Sequence, residues 1–363
     1  MRTNALHAAL FSIFVLLTSM LALHRSGSMR LHADQALLRG EPARAFETQY
    51  DQAFPAKTFG VNLWAAIDYE LFGEGHAGVV IGREHWLYTD EEFRLENDAD
   101  ATLARNLALI VWLRDRLAEK NVRLLIARVP EKASIYPEFV GAHAWLQLHR
   151  ELPARIGAAL DAAHIANVEL AQTLRDGKAQ QPTFLRTDTH WTPFGAQLAA
   201  QAIGNAVAKL DLRFAAPTDF RQRREACAAH RGDLFTFLPL DPYFSWLLPP
   251  PDCVEAAHTE ATSTSSELFG DAPPPQIALV GTSYSANPLW DFPGALQQAL
   301  HQPISNYATD GLGPFAPLAV YLQSADWQHA PPQLVIWELP ERYLPTAQHL
   351  DAYHVPATAF TTP

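Results

Sequence analysis

Positive charge, cysteine and glycine are all scarce in this sequence, and each shortage removes a class of protein. Lys and Arg number 27 against 39 Asp and Glu, a formal net charge of −12. Nucleic-acid binding needs a basic surface, so that partner is not predicted, although the balance still permits a local basic groove. Two cysteines in 363 residues are too few for a disulfide-built scaffold. No Cys/His spacing of the metal-binding kind and no internal repeat occurs, and neither a metal nor a cofactor is predicted. The 18 glycines are outnumbered by 27 prolines, which points to many fixed turns. Apolar residues make up 48% of the chain, enough for a sizeable core in one large domain or two smaller ones.

The one long uncharged run lies at the amino terminus, from Ala8 to Leu23, between Arg2 and the His24, Arg25, Arg30 cluster. It is short for a spanning helix of about twenty residues, but Asn4 to His24 can be recruited. Residues 1–28 therefore read as a signal anchor or signal peptide. No small-x-small cleavage site follows Leu23, which favours an uncleaved anchor. Either reading exports the rest of the chain. Export in turn permits a disulfide between Cys227 and Cys253, the competing reading being two unrelated buried thiols.

Residues 29–46 read as a polar linker. The aromatic-rich segment 47–95 reads as an amino-terminal subdomain packed on the core, with Trp86-Leu87-Tyr88 as a strand of contact. From Asp98 to Lys120, apolar residues at helical spacing (Leu103, Leu107, Ile110, Leu113, Leu117) predict a helix broken at Asn121. Val122 to Val129 predicts a buried strand, Ala144 to Ala163 a helix, and Ile165 to Leu170 another strand. Thr192-Pro193 supplies an N-cap and first-turn pair for a further helix. After an irregular excursion at 211–275, the pattern resumes with strands at Ile277 to Val280, Ile304 to Tyr307 and Leu334 to Trp337, and helices near Leu289 to Leu300 and Phe315 to Leu322. This alternation predicts an α/β domain with a parallel sheet flanked by helices, over 96–345, followed by a tail at 346–363.

Two segments carry chemistry. In Asp188-Thr189-His190-Trp191, an Asp and a His two positions apart on an extended segment point to the same side. The Asp188 carboxylate then accepts the His190 Nδ1 proton and leaves Nε2 as a base. In Gly281-Thr282-Ser283-Tyr284-Ser285, a serine stands on a tight turn after a strand, where open α/β sheets place their ligands. Ser285 replaces the second glycine of a Gly-x-Ser-x-Gly elbow and the order is Asp, His, Ser, so an ordinary α/β-hydrolase is not expected. Tyr284, Asn287 and Arg342 are weaker candidates for oxyanion or substrate contacts, with core packing or an ion pair as their plainer roles.

Beyond these segments, Gly82 to Glu92, Pro130 to Glu138, Thr187 to Pro193, Gly281 to Ser285, Gly311 to Pro314 and Ile336 to Leu344 together resemble the SGNH-hydrolase-like alginate O-acetyltransferases of the AlgJ and AlgX type. The resemblance covers nearly all of the exported part. It implies an SGNH-like domain with catalytic Asp188, His190 and Ser283. It also implies acetylation of a bacterial exopolysaccharide in the periplasm, from an inner-membrane anchor, with the acetyl group arriving through a membrane-bound O-acyltransferase. AlgX-type members carry a further carbohydrate-binding module, and the short tail after Leu344 places this chain nearer the AlgJ type. Rival readings are an acetylesterase using the same triad, a noncatalytic polysaccharide-binding scaffold and, least favoured, a metal-dependent hydrolase built on Asp188 and His190.

Overall fold

The computed structural model describes residues 2–26, 40–94, 96–141, 143, 147–214, 217–262, 274–348 and 350. Most of the expected linker and tail, the first residues of the helix expected from Ala144, and the end of the excursion lie outside the described residues. The chain forms two compact units, one of residues 1–76 with 236–248 and one of 77–235 with 249–363. The boundary at His76 and Ala77 falls inside the 47–95 segment.

The first unit contains helices α1 (Arg2–Ser26), α2 (Glu41–Ala53) and α3 (Lys57–Ile67). Within α1, the 21 residues Ala5–Arg25 are long and apolar enough to cross a membrane, more than the sixteen of the uncharged run. Helix α3 turns Asn62, Ala65 and Ala66 inward. It leaves Phe59, Leu63 and Trp64 exposed, as are the nearby Leu71 and Phe72. The aromatics of this stretch are therefore surface groups, unlike Trp86 and Tyr88 of the second unit, which are buried.

The second unit begins with an antiparallel pair, β1 (Val79–Ile81) and β2 (Leu87–Thr89), and continues through α4 (Ala99–Ala118), β3 (Arg123–Val129), α5 (Lys132–Ile135), α6 (Gln147–Ala162), β4 (Ala166–Glu169), α7 (Ala171–Gly177) and α8 (Pro193–Val207). The excursion follows and is more ordered than its sequence suggested. It forms two ribbons from β5 (Phe220–Arg224), β6 (Ala228–His230), β7 (Asp252–Val254) and β8 (Ala257–Ala261), with β5 antiparallel to β8 and β6 to β7. Cys227 and Cys253 are joined at a Cα separation of 5.5 Å, which ties the second ribbon at its root. The remaining elements are β9 (Ile277–Val280), α9 (Ser283–Ala286), α10 (Phe292–Leu300), β10 (Ile304–Asn306), α11 (Phe315–Tyr321), α12 (Ala325–His329) and β11 (Leu334–Pro340).

Five strands form one parallel sheet in the order β10-β9-β11-β3-β4. Side-chain alternation along the strands explains its two-sided burial. Leu125, Ala127, Ile277, Leu279 and Ile336 pack on one face with α7, α8 and α10. Leu124, Ile126, Ala278, Val280, Val335 and Trp337 pack on the other with α4, α6 and α11. Successive strands leave the centre in opposite directions, β3 toward β4 and β9 toward β10, so a crevice opens at their carboxyl ends.

Candidate active site

The serine turn sits at the carboxyl end of β9. Ser283 is the first residue of α9, and the Thr282 side chain caps that turn by accepting the Tyr284 N–H at 3.4 Å. Glu338 follows Trp337, which pairs with Val280 across the sheet, so its carboxylate reaches under the turn. It accepts the Thr282 N–H at 2.7 Å and hydroxyls from Thr282 and Ser285 at 3.0 Å each. Burial pushes the Glu338 carboxyl up from its ordinary value, and these donors oppose the shift. Gly281 is required here because a Cβ would lie 2.4 Å from Glu338 Oε2.

The Asp188 loop is built differently. Phe184 and Trp191 form a single antiparallel bridge, and the residues between them are bends rather than the extended segment expected from the sequence. The acid and base meet through a tight turn. Asp188 Oδ1 accepts the His190 N–H at 3.0 Å and the Nδ1 proton at 2.6 Å. Lys132, fully buried after β3, holds the loop from beneath, donating Nζ protons to Leu87 O (2.6 Å), Arg186 O (3.0 Å) and Asp188 O (2.9 Å). Burial lowers its ammonium to about 8. Asp252 accepts the Arg186 and Thr187 amides at 3.1 and 2.8 Å, and Asp233 accepts that of Thr189 at 2.8 Å. Downstream, Thr192 caps α8 by accepting the Gly195 N–H at 3.0 Å, as its sequence predicts.

These two loops bring the reacting groups together across 93 residues of sequence. His190 Nε2 lies 2.6 Å from Ser283 Oγ, continuing the 2.6 Å contact between Nδ1 and Asp188. The imidazole stacks on Trp290 at 4.7 Å and meets the edge of Tyr284 at 4.7 Å, which fixes its plane. Burial opposes ionisation of Asp188, but hydrogen bonds from His190 and His230 outweigh it and hold the carboxyl below the usual range. With Nδ1–H given to a carboxylate, Nε2 is the acceptor for the serine proton.

The weaker candidates have defined partners. Tyr284 is buried and donates its hydroxyl to Thr189 O at 2.8 Å. Asn287 Oδ1 accepts the Leu289 N–H at 3.0 Å. Arg342 is buried and paired with Glu91 at 2.9 Å, its guanidinium 5.6 Å from the Tyr284 ring centre. Four site residues escaped the sequence reading: His230, whose Nε2 lies 2.9 Å from Asp188 Oδ2, Asp233, Lys132 and Glu338. Lys132 and Glu338 lie inside the segments Pro130 to Glu138 and Ile336 to Leu344 that carry the resemblance, without being singled out there, and the excursion touches the histidine loop at Gly232, where a Cβ would lie 2.0 Å from Thr187 O. Asp233 also gives Asp188 and His190 a third group within ligand reach, all ligand atoms lying within 4.8 Å of one another, which the sequence spacing did not reveal.

A five-stranded parallel sheet, with an Asp-His pair before α8 and a serine on the turn after β9, defines an SGNH-hydrolase-like domain. The family described as "SGNH hydrolase-like domain, acetyltransferase AlgX" matches residues 79–341. The "Probable alginate O-acetylase AlgJ" of Pseudomonas putida is 46% identical over 321 residues, 87% of this chain and 83% of the relative. The protein of the same name in Pseudomonas aeruginosa is 44% identical over 330 residues, 88% of this chain and 84% of that one. The solved O-acetyltransferase domain of Pseudomonas putida AlgJ superposes with a TM-score of 0.72 at 43% identity, covering 78% of this chain and 98% of that domain. Pseudomonas aeruginosa AlgX superposes at 0.56 with 22% identity, over 75% of this chain and 68% of its own, and shares the fold. This chain therefore belongs to the SGNH-hydrolase-like acetyltransferase family of the AlgJ and AlgX type, and it is nearer to AlgJ, since the AlgX of Pseudomonas aeruginosa is 28% identical.

Proposed function

We propose that this O-acetyltransferase moves acetyl groups onto hydroxyls of an alginate-type exopolysaccharide through an acetyl-Ser283 intermediate. The observation that carries the reading is the unbroken contact from Asp188 through His190 to Ser283, 2.6 Å on each side of the imidazole. In the first step His190 Nε2 takes the Ser283 proton as Oγ attacks the acetyl carbonyl, and returns it to the donor's leaving oxygen. In the second, the acceptor hydroxyl gives its proton to Nε2 and attacks the acetyl carbon. Ser283 Oγ then leaves and recovers the proton. Asp188 stays ionised and orients the ring throughout. The Ser283 N–H serves the developing oxyanion, since those of Thr282 and Tyr284 are given to Glu338 and the Thr282 hydroxyl, and Tyr284, through its bond to Thr189, keeps the histidine loop in place.

In this reading α1 anchors the chain in the inner membrane, residues 47–345 work in the periplasm, and a membrane-bound O-acyltransferase supplies the acetyl group. The apolar length of α1 and the alginate O-acetylase names of its relatives support it. Intact-mass analysis after exposure to an activated acetyl ester is the test. One acetyl adduct that maps to Ser283, and disappears in Ser283→Ala and His190→Ala, is the expected result. Transfer to an added oligosaccharide separates a transferase from an esterase, and loss of activity to a chelator would favour metal chemistry at Asp188, His190 and Asp233.

A further inference from the structure

A cavity of about 450 Å³ lies on the side of the histidine loop formed by Phe184, Arg186, Thr192 and Phe194, with Gln181 and Arg224 also in its wall. None of Asp188, His190 and Ser283 lines it. Arg186 precedes Asp188 by two residues and Thr192 follows His190 by two. At no more than about 3.6 Å per residue, the wall and the reacting groups are within about 7 Å along the backbone.

Arg186 is the unusual group in that wall. Arg128, Arg224 and Arg342 each face a carboxylate, at 2.9, 3.9 and 2.9 Å. Arg186 has no carboxylate partner among the described residues. Its Nη2 donates to Pro250 O at 2.6 Å, and its buried Nε–H has no partner among the described residues. A guanidinium in this condition is suited to a carboxylate or similar planar anion. Its backbone is already fixed at both ends, the N–H on Asp252 at 3.1 Å and the carbonyl on Lys132 at 3.0 Å, so little order is lost when the side chain engages a ligand. The two acids of the wall are otherwise engaged. Asp252 takes the Arg186 N–H and both the N–H and hydroxyl of Thr187, and Glu255 faces Arg224. The half-buried Phe194 ring and exposed Pro182 and Pro251 give the cavity apolar surface suited to the C–H face of a sugar.

We infer that this cavity is an acceptor subsite for a carboxylate-bearing sugar residue, with Arg186 as the group that reads the carboxylate. The inference rests on the acetyltransferase reading above and adds to it the place where the acceptor's carboxylate is held and the residue that holds it. It also reconciles a chain of net charge −12 with a polyanionic acceptor, since attraction is supplied locally while the rest of the surface repels.

The test uses the full-length chain in detergent, carrying Ser283→Ala so that no turnover occurs, titrated calorimetrically with an oligouronate and with the same oligomer after its carboxyls are reduced to alcohols. The parent is expected to bind the oligouronate about tenfold more tightly than the reduced form, a preference erased by Arg186→Gln. Filling the cavity from its exposed rim with Gln181→Trp leaves Arg186 in place and is expected to weaken oligouronate binding by a similar factor. Equal binding of the two oligomers by the parent, or a preference that survives both variants, overturns the subsite. These outcomes are separate from the activity itself: failure of the wild-type chain to form acetyl-Ser283 defeats the acetyltransferase reading, whereas an adduct formed without uronate preference defeats only the subsite.

Discussion

The loops that carry Ser283 and His190 are braced by buried side chains of opposite hydrogen-bonding sense, an accepting carboxyl and a donating amine. Under the serine turn, Glu338 is an acceptor collecting one amide and two hydroxyl protons. Under the histidine loop, Lys132 is a donor spending its protons on three carbonyls. The difference follows from what each backbone leaves unpaired: the start of a helix exposes N–H groups, whereas the bends of the histidine loop expose carbonyls. A buried acceptor or donor matched to those groups satisfies several at once. The two braces also differ in reach. Glu338 acts only on Thr282 and Ser285, the near neighbours of Ser283, whereas Lys132 joins β2 to the loop and so contributes to the fold as well as to the site.

The strongest challenge to this comparison is to ask whether the two loops work as one device. Ser283→Ala and His190→Ala are each expected to lower acetyl transfer by about a thousandfold or more, and the double variant to be no worse than either. Additive losses in single-turnover assays would mean that the loops act separately. Removing the cation should come next in size. Lys132→Met takes a donor from three carbonyls, of which Arg186 O keeps another in the Leu87 N–H, and is expected to cost about 3 to 5 kcal/mol of stability, read by denaturant unfolding, together with most of the activity. Glu338→Gln removes one acceptor oxygen under the serine turn and is expected to slow transfer about tenfold, with a smaller loss of stability, because two of its three donors are hydroxyls that rotate to other acceptors.

The pH response sharpens the contrast further. Lys132 is lowered to about 8 by burial, against about 10.4 for an unfolded lysine. Between those values the unfolded chain binds the extra proton, so this group makes stability rise with pH across that window. Activity is expected to do the opposite and fall as pH rises through about 8, because the neutral amine has one donor fewer for its three carbonyls. Parallel rate and unfolding profiles would separate the two effects, and a stability that fell in step with activity would remove Lys132 as the cause. The smallest change is expected from His230→Gln. Its loss costs Asp188 Oδ2 one hydrogen bond, worth about 1 kcal/mol, and should slow transfer about fivefold. The bond to Asp188 raises the His230 imidazole, so its stabilising contribution is present below the unfolded value near 6.5 and is lost as pH climbs through the folded one.

Much of the fold is legible in the chain because its signals are local. Short continuous apolar runs mark β3, β9 and β11, helical spacing marks α4 and α8, and Thr192-Pro193 marks the start of α8. The aromatics of α3 misled that reading: apolar character alone does not say which face is buried, and here small residues face inward. The excursion read as patternless because three-residue strands in narrow ribbons leave almost no periodicity.

By itself the sequence determined the parallel α/β layout, the strand and turn that present Ser283, and the pairing of Asp188 with His190, all matters of residues close along the chain. Tertiary structure alone decided that His190 meets a serine 93 positions away, that His230 takes the second oxygen of Asp188, and that Lys132 and Glu338 brace the loops. The physical reason is that local patterns encode backbone geometry, whereas a buried charge is placed by the partners that desolvation forces upon it, and those are brought to it by the strand order β9-β11-β3.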